Sequence, residues 1–131
     1  MTTAPNRVLI PTFAALRFAT GVTAWAAPAK AARLFGLAGA ERQPFTTQLF
    51  GSRELTLALA VTDASPRLRT RALQLGLLTD ALDVIAALRG VQRRTLPPAG
   101  AVITGGGAAL FLGLGLAALA NQRRAGASSE W

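Results

Sequence analysis

Residues 99–120 restrict the fold of this chain more than any other stretch. They are 22 consecutive residues without a charge, and Thr104 carries their only polar side chain. About 20 predominantly apolar residues are enough to carry a helix across a bilayer, whereas a helix with one face in water needs a polar stripe. This run has no such stripe and follows the helix-breaking pair Pro97-Pro98, so a membrane span is expected here. Ala101, Gly105, Ala109, Gly113 and Ala117 recur every fourth residue within it. Small residues at that spacing let helix backbones approach closely in lipid. The stripe is expected to pack against another helix of the chain, or against a second copy in a homodimer or larger membrane complex.

Three earlier segments resemble it, each interrupted by charge. Residues 8–27 hold Pro11 in the first turn and Arg17 in the middle. Residues 45–64, opened by Pro44 and closed by Pro66, carry Arg53 and Glu54 near their midpoint. Residues 71–89 contain Asp80 and Asp83, and Gly90 supplies a stop. The expected fold is therefore an all-α, four-helix transmembrane bundle over residues 1–122, with a polar, frayed tail at 123–131. Arg7 before the first apolar run, and the A-W-A-A at 24–27 as a possible cleavage site, have the outline of a cleaved leader. Arg17 in the run's centre and the three similar segments after it argue against cleavage. Between the first two spans, Lys30, Arg33 and Arg42 alternate with Leu34, Phe35 and Leu37. This pattern fits a short amphipathic helix in the headgroup layer or an ordinary loop.

Composition removes several function classes. Fourteen Lys+Arg against six Asp+Glu give a net charge of +8. The cations form short clusters between apolar runs, with no basic stripe or stacking platform for nucleic acid. There is no cysteine, histidine or tyrosine, so thiol chemistry and the commonest general base and metal ligand are missing. No residue is nominated as catalytic or metal-binding, and an enzyme is not the leading expectation. The positive-inside rule does not orient the chain. Arg7, Arg67, Arg69, Arg71, Arg123 and Arg124 on one side balance Lys30, Arg33, Arg42, Arg89, Arg93 and Arg94 on the other. Both termini are placed in the cytoplasm as a prior only, in a multi-pass protein of the cell membrane.

The buried charges are the candidate site. A charge at mid-membrane costs at least a few kcal/mol, so such groups pair and turn inward. With a rise of about 1.5 Å per residue, Arg17, Arg53, Glu54, Asp80 and Asp83 fall at one depth. Asp80 and Asp83 share a helix face, whereas Glu54 is rotated about 100° from Arg53 and turns toward a different neighbour. The simplest assembly has Arg53 bonding Asp80 or Asp83, with Arg17 taking the remaining aspartate or Glu54. Two arginines against three carboxylates leave one negative charge. Burial disfavours a charged carboxylate, so one acid is expected to carry a proton, or a cation or ligand completes the site. A register-fixing polar core is the plainer expectation. Proton, lipid or quinone binding is the alternative. The single D-x-x-D at Asp80–Asp83 is only half of the aspartate pairs that hold magnesium in membrane prenyl- and phosphoalcohol-transferases.

With Gly51, Arg53 and Glu54 as a G-x-R-E in the second segment and Asp80 and Asp83 as a D-x-x-D in the third, the chain resembles small bacterial membrane proteins of about 130 residues and unknown function, similar in layout to DoxX-like proteins. The resemblance covers nearly the whole chain. It implies a helical fold and a membrane location, and almost nothing about activity. Quinone-linked redox chemistry in some DoxX-like relatives is only an analogy here. The resulting expectation is a structural or accessory membrane subunit or binding module.

Overall fold

The computed structural model describes residues 4–37, 39 and 44–128. Among them run five helices: α1 (Ala4–Ala26), α2 (Pro28–Leu34), α3 (Pro44–Ala60), α4 (Pro66–Gln92) and α5 (Pro98–Ser128). Proline sets four of the starts. Pro28, Pro44, Pro66 and Pro98 each stand at the first helical residue, where the missing N–H would have had no partner and the fixed φ already suits the helix. Pro11 sits inside α1 near its start.

The long helices form two antiparallel pairs. In the α1/α3 pair, a Cβ on Gly21 would lie 2.9 Å from the Gly51 carbonyl oxygen, and one on Gly51 would lie 2.7 Å from that of Gly21. The backbones touch there, and only glycine admits that approach. In the α4/α5 pair, the Leu77 side chain covers Gly115, the Ala87 methyl covers Gly105, and Thr70 donates to Gln122 Oε1 at 3.0 Å. The pairs meet along α1/α5 and more sparsely along α3/α4, so α1 and α4 face each other across a diagonal. Ile10, Phe13, Leu73, Ala118 and Leu119 fill the centre at one end. The short α2 buries Ala31 and Ala32, and Phe35 just beyond it meets Phe50 of α3 edge-on at 6.1 Å. The left-handed turn at Gly36 (φ +67°) rests against Gly100 at the start of α5.

The expected four-span transmembrane bundle is overturned. Among the described residues there are five helices, and only α1 and α5 are both long enough and apolar enough to cross a membrane. Their most apolar windows are 33% and 22% buried, respectively. The other two long helices fail for physical reasons. The 17 residues of α3 span about 25 Å at 1.5 Å per residue, short of a hydrocarbon core of about 30 Å. The expected second segment ended at residue 64, but the helix stops at Ala60 and the chain turns before Pro66. In α4, Arg67, Arg69 and Arg71 at one end and Arg89 at the other close in on Asp80 and Asp83. The apolar run between them is too short. The amphipathic segment expected over 28–43 contracts to the two turns of α2, and Arg42 lies outside the described residues. The tail expected to fray from residue 123 continues α5 to Ser128.

Candidate functional site

Three helices bring the five nominated charges together. Arg17 enters from α1, one turn before Gly21, and Glu54 from α3, nearly one turn after Gly51. The glycine crossing thus sets those two side chains opposite each other. Arg17 Nη1 donates to Glu54 Oε2 at 2.7 Å, and Nη2 donates to Asp80 Oδ2 across the diagonal. Gly76, one turn before Asp80, lies beside this guanidinium. A Cβ there would meet Nη2 at 3.5 Å. Arg53 Nη1 and Nη2 form a fork on Asp83 at 3.1 and 2.7 Å, and Nη2 also reaches Glu54 Oε1 at 3.2 Å. The groups form one alternating chain, Asp80–Arg17–Glu54–Arg53–Asp83.

That chain runs from a sealed interior to the surface. The Arg17 side chain is 0% exposed, and those of Glu54 and Asp80 are 2% exposed each. Arg53 and Asp83 remain 35% and 32% exposed along the sparse α3/α4 side. The Arg17 guanidinium lies 4.8 Å from the ring centroid of Phe13 and 4.5 Å from that of Phe111, and these rings meet edge-on at 5.8 Å. Ring faces carry negative charge density, so a desolvated cation gains on the order of 2 kcal/mol or more there. Arg53 stacks in the same way on Phe50 at 4.8 Å. Arg17 Nε has no hydrogen-bond partner among the described residues.

All five charges therefore converge, and the sharing is specific. The sealed part holds one cation between two carboxylates. Among the described residues, no group of three or more Asp and Glu side chains is placed to hold a metal ion. The stripe nominated on α5 does not converge in this way. Gly105 packs against Ala87 and Ala101 is half-buried, while Ala109, Gly113 and Ala117 point outward. The buried face of α5 is instead Gly100, Ala108, Gly115, Ala118 and Leu119.

Sequence reasoning missed a ring of the site and a second buried polar contact away from it. Phe13 sits one turn before Arg17 and could have been nominated as a ring beneath a buried guanidinium. Asn6 is fully buried, donates to the Ala118 carbonyl at 2.9 Å, and accepts from Asn121 Nδ2 at 3.1 Å. It is the only buried amide side chain among the described residues. Comparison of the chain with protein-family models, with curated proteins and with solved structures finds no match.

Proposed function

We propose that this is a small membrane-embedded protein with a non-enzymatic role, a structural or accessory subunit or binding module whose charged cluster fixes the helices against one another. The carrying observation is the alternating chain from Asp80 to Asp83, which ties α1, α3 and α4 through three ion pairs between helices and a fourth within α3. Helices surrounded by hydrocarbon gain little from burying leucine against leucine, so polar contacts and close backbone packing must specify their arrangement.

An inside-out distribution of side chains supports membrane embedding. Arg17, Asn6, Glu54 and Asp80 are buried, while Val8, Phe45, Leu59, Leu75, Leu110 and Val102 are exposed. A domain folded in water has the reverse pattern over so large an apolar surface. The hydroxyls follow suit. Thr20, Thr23, Ser52, Thr56 and Thr79 each donate to the carbonyl one turn back at 2.8–3.0 Å. No hydroxyl of this group needs water as an acceptor. The resemblance to DoxX-like proteins points to the same location.

The experiment is a rescue. Arg17→Gln leaves Asp80 without its cation and Glu54 with only its Arg53 bond, and adding Asp80→Asn removes the stranded charge. Under this reading the double variant, purified in detergent, melts higher than Arg17→Gln alone. A double variant no more stable than Arg17→Gln sinks it. The surplus carboxylate favours a second reading, a carrier binding a lipid, quinone or proton at the cluster. In that case the double variant folds but no longer co-purifies with its ligand.

A further inference from the structure

At the end of the molecule where α1 begins and α5 finishes, side-chain hydrogen bonds draw three helix ends together. Asn6 of α1 is bonded to Asn121, and Thr70 of α4 to Gln122, which follows Asn121 on α5. Arginines flank these polar residues directly: Arg7 follows Asn6, Arg71 follows Thr70, and Arg123 and Arg124 follow Gln122. All four are exposed, as is Arg67 one turn before Arg71. Pro66, Arg67, Thr70 and Arg71 line a shallow depression in this surface. Asp63, which accepts from the Ser65 amide at 2.7 Å, is the sole carboxylate at this end among the described residues.

We infer that this arginine-rich end binds the phosphate of an anionic phospholipid headgroup, seated at the depression between Arg67 and Arg71 and reached by Arg123 and Arg124. The inference rests on the membrane reading, which puts the ends of α1 and α5 at headgroup level. Guanidinium groups fork onto phosphate oxygens. A zwitterionic headgroup brings its own cation to this crowded positive end and is repelled; an anionic one is not. Each basic residue near an anionic membrane surface contributes about 1 kcal/mol, or roughly fivefold in affinity.

The test uses the full chain in nanodiscs of equimolar phosphatidylcholine and phosphatidylglycerol, with retained lipid counted by native mass spectrometry. Phosphatidylglycerol is expected to dominate. Arg67→Gln with Arg71→Gln, or Arg123→Gln with Arg124→Gln, lowers its retention by about fivefold per arginine removed. Arg93→Gln with Arg94→Gln, at the opposite end, lowers it less than either of these pairs, because it removes surface charge without touching the seated phosphate. Equal retention of the two lipids, or equal loss from variants at both ends, overturns the inference. Titration of delipidated protein with inorganic phosphate separates lipid from free anion. Uptake of phosphate without any preference for phosphatidylglycerol also overturns it. A protein released from membranes by alkaline wash overturns the membrane reading and this one with it. A protein that stays embedded but shows no lipid preference overturns this one alone.

Discussion

Arg17 and Asp80 meet across the diagonal of the helix assembly, 63 residues apart in sequence, through a guanidinium that also holds Glu54. One cation shared by two sealed carboxylates makes the three residues unequal. Arg17→Gln leaves two buried acids without their common partner and is expected to cost about 3–5 kcal/mol. Asp80→Asn keeps an oxygen for Arg17 to donate to and removes the surplus charge, so a loss below about 1 kcal/mol is expected. Unfolding midpoints of the two variants in one detergent check this. Equal losses would mean that the acids are not competing for Arg17.

The depth argument made this cluster legible. Five charges at the midpoints of three apolar segments had few places to go except toward one another; Arg53 turns to Asp83 and Glu54 to Arg17, although the two neighbours also bond each other. The span count was not legible from apolar runs alone, because the runs ignore where helices stop. The turn before Pro66 ends α3 at Ala60, and the arginines at both ends of α4 shorten its apolar core. Within the chain the α5 stripe packs only in part, for a geometric reason. Residues four apart advance by about 40° per step, so five of them spiral off any flat contact. Ala108 and Gly115, seven apart, drift by only about 20°, and both are buried.

The backbone crossing of α1 and α3 gives a second prediction. A methyl on Gly51 would lie 2.7 Å from the Gly21 oxygen and 2.8 Å from the Trp25 nitrogen, and backbone cannot give way as a flexible side chain can. Gly51→Ala and Gly21→Ala should each cost about 1–3 kcal/mol by overpacking. Both also push Glu54 away from Arg17. Gly113→Ala has nothing within 4 Å of the new methyl and should leave the melting temperature unchanged or higher. If all three alanines behave alike, the glycine crossing is not what fixes α1 against α3.

The outer pair should be weaker than the inner one. Arg53 and Asp83 keep about a third of their side-chain surface, and their bond closes the sparse side between α3 and α4. Arg53→Lys loses the fork on Asp83 and most of the stacking on Phe50, about 1 kcal/mol in all. In double-mutant cycles, the coupling of Arg53→Gln with Asp83→Asn should fall below that of Arg17→Gln with Asp80→Asn. A larger outer coupling would move the centre of the cluster from the sealed triad to the surface.

Asn6 joins α1 to α5 without any charge. Its Nδ2 donates to the Ala118 carbonyl and its Oδ1 accepts from Asn121, in a site with 0% exposure. Asn6→Leu removes both bonds and leaves the Asn121 amide short of its acceptor, for a cost of about 1–3 kcal/mol. Asn6→Leu combined with Asn121→Leu removes donor and acceptor together and should recover part of that loss. Neither change lies near Arg17, so the two sets of effects should add within about 0.5 kcal/mol. Strong non-additivity between Asn6→Leu and Arg17→Gln, read from melting of the combined variant, would show that the start and the middle of α1 do not hold their partners independently.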